Sequence, residues 1–213
     1  MNDQIRYYKN RALEYEIVYN KPERQIDLSN IKRLLSLEFI GKNILEIACG
    51  TGYWTELISK QAKFIEATDI NFEVLEVAKS KLYSNEVLFL EKNYLDYINE
   101  QNQFEGFFGG FIWSHILLEN LDEFINILLN QVASGSNLIF IDNIFVEGNS
   151  TKLNRTDKFG NTYQIRTLKN LDTFEVIKNF PTKDFLYYKL KDLVYNFEFI
   201  ALEYYWILKF TKI

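Results

Sequence analysis

Apolar positions follow one rhythm from residue 43 to 142 and another after it. In the first stretch, short and nearly all-apolar runs alternate with segments of helical period. Ile44 to Ala48, Phe64 to Asp69, Val87 to Glu91, Phe107 to Trp113 and Asn137 to Asp142 read as strands. Tyr53 to Gln61, Phe72 to Leu82 and Leu121 to Val132 read as the helices between them. Strands apolar on both faces, joined by amphipathic helices, predict an α/β fold with a parallel sheet covered on both sides. Upstream, Ile5, Tyr8, Ala12, Tyr15 and Tyr19 keep an approximate helical period as far as Pro22. A second helix is expected from Leu28 to Phe39, ending at Gly41.

After Asp142 the alternation stops. Residues 143–160 are polar and turn-rich, and "NTYQIRTL" and "TFEVIKNF" then alternate like hairpin arms around "KNLD". Pro181 and Thr182 open a helix to about Val194, and "NFEFIALEYYWILKFTK" reads as two closing strands. The expected organisation is a single domain in four parts: an N-terminal helical cap (1–42), a core (43–142), a hairpin lid (143–180), and a closing helix and hairpin (181–213).

Composition narrows this further. Of 213 residues, 47% are hydrophobic and 16% aromatic, which excludes disorder. The net charge of −5, with acids and bases interspersed, argues against a nucleic-acid partner. The N-terminus lacks an apolar signal core, and no run approaches the roughly 20 apolar residues of a membrane span. A cytoplasmic protein with no membrane partner is expected, as monomer or homodimer. Cys49 is the only cysteine, so no internal disulfide forms, and no metal site is expected.

The stretch "NILEIACGTGYWTELI", residues 43–58, carries the chemistry. A strand ends in Gly50 and Gly52 before a helix, a geometry that lets a ligand approach the backbone and offers it free N–H groups. Asp69 ends the next strand about 20 residues on, where an acid can bind a ribose hydroxyl pair. The GxGxxG spacing of dinucleotide sites and the GxxxxGK[ST] loop of triphosphate sites are both missing.

"LEIACGTGYWT" resembles the glycine-rich motif of class I S-adenosylmethionine-dependent methyltransferases. The resemblance runs from residue 44 to 142, and the tail matches that fold's closing antiparallel hairpin. It implies a Rossmann-like, mostly parallel seven-stranded sheet, with S-adenosyl-L-methionine as cofactor and S-adenosyl-L-homocysteine as product. It further implies that Glu46 holds the loop and the methionine amino group, and that Ala48, Cys49, Gly50, Thr51 and Gly52 line the methionine part. Asp69 would take the ribose, Ile70 would lie beside the adenine, and Asn93 falls where many members carry an aspartate. Tyr19, Trp54, Tyr94, Trp113 and Ser114 complete the implied cofactor set.

Ligands of open α/β sheets sit beyond the carboxyl ends of the strands. That edge collects "WSH", residues 113–115, with Asp142 and Asn143. His115 is the only histidine, and an unperturbed imidazole suits proton removal from a hydroxyl or nitrogen nucleophile. In "NTYQIRTL", Thr162, Gln164 and Arg166 share one strand face, and Arg166 is a candidate carboxylate anchor. His115, Asn143 and Arg166 are thus the candidate catalytic set. Tyr7, Tyr8, Tyr15 and Tyr19 are candidate walls. The words "ACGTGYWT", "WSH", "GNTYQIRTL", "KNFPT" and "LEYYW" together resemble a small-molecule subgroup that includes the methyltransferase domain of ovothiol-making enzymes. That implies a small-molecule acceptor, such as an imidazole nitrogen of a thiohistidine-like metabolite. The alternatives are O-methylation of a hydroxylated metabolite, a protein methyltransferase, or a non-catalytic cofactor binder.

Overall fold

The computed structural model describes residues 3–213. Five strands and four helices alternate as the sequence predicts: β1 (Asn43–Ile47), α3 (Tyr53–Ile58), β2 (Phe64–Asp69), α4 (Phe72–Lys79), β3 (Glu86–Glu91), β4 (Phe104–Gly110), α5 (Leu121–Gln131) and β5 (Val132–Asn143), preceded by α2 (Gln25–Glu38). The closing pair is β9 (Val194–Ala201) and β10 (Tyr205–Lys212). All seven strands form one sheet in the order β3-β2-β1-β4-β5-β10-β9. The first five are parallel, and β10 runs antiparallel to both β5 and β9. This is the Rossmann-like sheet with an antiparallel end. The strand order reverses at β1/β4, where such sheets open a ligand crevice.

Period-two alternation sends successive side chains to opposite faces. Leu45, Phe107, Leu138, Phe140 and Trp206 enter one core layer, beside α5 and α6 (Lys183–Leu190). Ile44, Phe108, Ile139, Ile141 and Ile207 enter the other, beside α2 and α3. Burying each such side chain contributes about 1.5–3 kcal/mol, which is why these runs admit so few polar residues.

A second body covers the carboxyl edge of the sheet. It is a three-stranded antiparallel sheet of β6 (Arg155–Thr156), β7 (Thr162–Thr167) and β8 (Thr173–Ile177). The hairpin arms were legible, whereas two-residue β6 carries no apolar signal. Helix α1 (Asp3–Asn10) packs on this sheet through Tyr7, Phe174 and Val176. The helical period read from residue 3 to 19 resolves into α1 and a 3-10 stretch, Ala12–Asn20.

One predicted boundary is wrong in an informative way. The fourth strand stops at Gly110, not Trp113, because Phe111 takes a left-handed backbone with φ +61°. A bulky residue there is strained. The kink starts a 3-10 turn, Trp113–His115, that points Trp113 into the core and His115 toward the roof. Among the described residues, no helix is long and apolar enough to cross a membrane.

Candidate active site

Two adjoining cavities lie between the sheet edge and its roof. The first, about 260 Å³, sits over the ends of β1, β2 and β4. Its floor is backbone. Ala48, Gly50 and Gly52 all adopt positive φ (+58°, +57° and +78°), so the chain turns tightly between β1 and α3. A Cβ on Gly50 would meet nothing within 4 Å, because that side is the cavity itself. A Cβ on Gly52 would come 2.3 Å from the Tyr83 hydroxyl, so this glycine also serves packing. Ala48 tolerates the conformation at a cost of order 1–3 kcal/mol, and with Phe111 it places strained backbone on two sides of one cavity.

Asp69 fixes the loop. Its Oδ2 accepts from Gly50 N–H at 3.0 Å and its Oδ1 from Asn71 N–H at 2.9 Å. Burial pushes its carboxyl up to about 6, against the pull of those N–H groups. Glu46, on the neighbouring strand β1, is 1% exposed, and its Oε2 has no hydrogen-bond partner among the described residues. Burial pushes this acid up to about 8, and the neighbouring Asp69 adds to the shift. An orphaned carboxylate oxygen under a glycine turn is the kind of group a ligand's cationic nitrogen would satisfy. Thr51 Oγ1 donates to Glu16 at 2.6 Å, and Lys81 Nζ reaches the same oxygen at 2.5 Å. The loop is thereby tied to the N-terminal segment.

The second cavity, about 200 Å³, lies under the roof and is lined mainly by side chains. Lys178 follows β8 and is only 3% exposed. Its ammonium donates to Asp142 Oδ1 and Ser114 Oγ, both at 2.7 Å. The other Asp142 oxygen accepts from Ser114 N–H at 2.9 Å. Burial would raise Asp142, but Lys178 and these donors hold it below its ordinary value. The Lys178 ammonium is itself lowered by burial, against the Asp142 charge. This buried pair fastens the roof to the sheet.

His115 stands at the junction. Its Nδ1 lies 2.6 Å from the Ile177 carbonyl, which only accepts, so Nδ1 carries the proton. Nε2 therefore offers its lone pair to the Tyr8 hydroxyl at 2.8 Å. Burial and the Lys178 charge push the imidazole down to about 3. Burial and the neighbouring Tyr15 raise Tyr8 well above the usual phenol range. His115 is a neutral, doubly bonded ring joining α1, β8 and the β4 turn. Tyr8, Tyr15, Phe111 and His115 line both cavities.

Residues 44–135 match a family described as "Methyltransferase domain". No curated protein sequence matches the chain. Solved structures do. The DhpI–SAH complex is similar with a TM-score of 0.81 at 23% identity, over 99% of this chain and 95% of that one. The DhpI–SAM–HEP complex gives 0.78 at 22%, over 98% and 95%. The N-methyltransferase NodS from Bradyrhizobium japonicum WM9 gives 0.61 at 14%, over 91% and 98%. The two DhpI likenesses extend the shared fold beyond residues 44–135 to nearly the whole chain.

Of the residues singled out in the sequence, Ala48, Gly50, Thr51, Asp69, Ile70, Asn93 and Tyr94 line the first cavity. Glu46, Cys49 and Gly52 lie in or beneath its loop without reaching the wall. Trp54 and Trp113 do not reach it either. Trp54 is buried against Tyr19 and Phe108, and Trp113 against Phe124 and Phe140, because both sides of the sheet need large apolar filling there. Ser114 is buried as a partner of Lys178. Tyr19 lines the second cavity and accepts from Trp54 Nε1 at 3.2 Å. Asn93 Oδ1 caps the turn Tyr94–Tyr97 by accepting from Leu95 N–H. Its amide NH₂ stays free for a ligand. Asn143 and Arg166 join His115 in the second cavity.

Sequence reasoning missed Lys178, Arg11 and Arg24, and placed Tyr8 only as a wall. Lys178 had a signal. It shares a strand face with Phe174 and Val176, so a charge was due to be buried there. Arg11 and Arg24 had none, since each reads as an ordinary surface residue near a helix end.

Proposed function

We propose that this protein transfers a methyl group from S-adenosylmethionine to a small-molecule acceptor held in the second cavity. The observation that carries the reading is the junction: two cavities, one backbone-floored and one side-chain-lined, share Tyr8, Tyr15, Phe111 and His115. The neighbours named as SAH and SAM complexes support the choice of cofactor. The residues of the first cavity fit such a group. Asp69 gives the wall a carboxylate edge for ribose hydroxyls and Ile70 with Val74 an apolar side, while Glu46, buried beneath the loop, keeps a carboxyl oxygen without a hydrogen-bond partner among the described residues, toward which an amino group would be drawn. Asn93 donates to a ring nitrogen through its free NH₂, in place of an aspartate's acceptance from an exocyclic amine.

When bound, the cofactor supplies an electrophilic methyl on sulfur. The chain's task is to hold an acceptor lone pair in line with it and keep water out. Phe111, Tyr8 and Tyr15 form the dry partition. His115 orients Tyr8 but is a weak base, because its lone pair is engaged and its proton affinity is low. An acceptor atom that is nucleophilic without first losing a proton is therefore favoured over an un-ionised hydroxyl. A neutral imidazole nitrogen, as in a thiohistidine-like metabolite of ovothiol type, meets that condition, and so does the oxygen of an ionised acid.

The roof, residues 143–180, acts as a lid that opens for acceptor entry. A cavity of this size suits a metabolite rather than a protein side chain on a bulky partner or a nucleic acid, and the −5 charge supports the same choice. The working form is a cytoplasmic monomer or homodimer. The test is isothermal titration with S-adenosylhomocysteine, followed by turnover on candidate acceptors with labelled methyl donor. Absence of S-adenosylhomocysteine binding would overturn the reading.

A further inference from the structure

The second cavity contains an imbalance of charge. Arg11, Lys21, Arg24, Arg166 and Lys178 all line it, and no Asp or Glu does. Lys178 is matched by Asp142 beneath it. The three arginines make no ion pair among the described residues and bond only to neutral groups. Arg11 donates to the Tyr7 hydroxyl at 2.8 Å. Arg24 donates to Asn149 Oδ1 at 2.9 Å and to the Tyr205 hydroxyl at 3.3 Å. Arg166 donates to Thr151 Oγ1 at 3.0 Å and Gln164 Oε1 at 2.5 Å. Glu23, beside Arg24 in sequence, is exposed and accepts from Asn149 instead.

A guanidinium has five N–H donors, and each of these leaves several unused. Arg24 Nε is buried with no partner among the described residues. Strand β7 adds an independent sign. Its polar face, Gln164 and Arg166, turns inward, while apolar Ile165 is 41% exposed. A strand that puts its polar side inside and its apolar side out is built around a polar occupant. Like charges gathered in a concave, partly dry site focus an attractive field on an anion, and unmatched buried donors remain costly until one arrives.

We infer that the acceptor is a multiply charged small acid, with its anionic groups held among Arg11, Arg24 and Arg166. This rests on the methyl-transfer reading above and names the acceptor's class. One carboxylate occupies one guanidinium fork. Three unpaired guanidiniums call for at least two negative charges, from a phosphoryl-type group or from two carboxylates. A free amino acid, thiohistidine included, brings an ammonium that finds no carboxylate on this wall. An ionised acid also needs no base, in keeping with the neutral, engaged His115.

The test is calorimetry on the full chain. S-adenosylhomocysteine is titrated first, and the saturated protein is then titrated with inorganic phosphate, malonate, acetate and L-histidine. Phosphate or malonate is expected to bind at least tenfold more tightly than acetate or L-histidine. Arg24→Gln and Arg166→Gln are each expected to weaken that binding by roughly 10- to 100-fold, the scale of a charged hydrogen bond, with S-adenosylhomocysteine affinity unchanged. Arg166→Lys should restore part of the loss. If S-adenosylhomocysteine binds but phosphate and malonate bind no better than acetate, or L-histidine binds best, the inference fails and the methyl-transfer reading stands. If S-adenosylhomocysteine itself does not bind, that reading fails first.

Discussion

The two cavities meet at one histidine, yet they are made of different material. The first is a bent backbone, with left-handed Ala48, Gly50 and Gly52 on one side and left-handed Phe111 on the other. The second is a set of long side chains brought together from α1, the residue before α2, β5, β7 and the segment after β8. Backbone sites fix shape and suit a ligand that never changes. Side-chain sites fix charge and can be altered one residue at a time without disturbing the sheet. The first cavity is thus suited to a constant methyl donor and the second to a particular acceptor.

Breaking the fastening between the two regions should have the largest effect. Lys178→Met leaves Asp142 buried without its cation, and urea unfolding should show a loss of about 3–5 kcal/mol. Adding Asp142→Asn should recover much of it. A single mutant as stable as the parent would mean that the roof is held by its apolar contacts alone.

Next is the backbone side. Asp69→Ala removes the acceptor for Gly50 N–H and, on the proposed reading, the one for ribose hydroxyls. S-adenosylhomocysteine binding should weaken by about 1.5–3 kcal/mol in a folded protein. Arg166→Gln should leave that binding alone, and a loss in both variants would merge the two regions into one.

The third effect is a pH dependence with a definite sign. In the free protein Glu46 sits near 8, so at pH 7 it is mostly neutral. A cationic amino group beside it favours the carboxylate, so binding lowers this pKa and releases a proton. Affinity should then weaken, by up to roughly tenfold per pH unit, as pH falls from about 8 to about 6. Asp69, near 6, adds to the loss at the lower end. Calorimetry in buffers of different ionisation enthalpy measures the released proton, and Glu46→Gln should abolish it. The same affinity at pH 6 and pH 8 would contradict this placement.

The smallest effect is an absence. Because His115 is the only histidine, its imidazole proton resonances can be followed without overlap. With its pKa pushed down to about 3, it should not titrate between pH 8 and 5. The unfolded chain does take up that proton below about 6.5. The histidine's contribution to stability is therefore complete above 6.5 and declines as pH falls toward 3. A resonance titrating near 6.5 would free His115 to serve as a base.

What could be read from the chain follows the same division. Strands β1, β2, β4 and β5 were legible because burial on both faces leaves a nearly all-apolar run, and edge strand β3, though none of its residues is fully buried, still carries the apolar Val87 to Leu90. The loop was legible because Ala48 to Gly52 are contiguous and glycine signals the backbone it permits. Phe111 was not, since nothing in a phenylalanine announces a left-handed conformation. Trp54 and Trp113 were misplaced because adjacency in sequence to a site residue was taken for adjacency in space. His115 was found by its uniqueness. Its role changed once Ile177 and Tyr8 were seen to occupy both nitrogens, and neither partner is near it in sequence. Arg11, Arg24 and Arg166 converge only through the fold of the roof, so no local pattern could group them.

The most direct measurement is titration of the intact protein with S-adenosylhomocysteine at pH 7.5. Saturable one-to-one binding, lost on Asp69→Ala and kept on Arg166→Gln, is the predicted result. No binding, or binding lost equally in both variants, would contradict a cofactor cavity built on the β1–β2 edge.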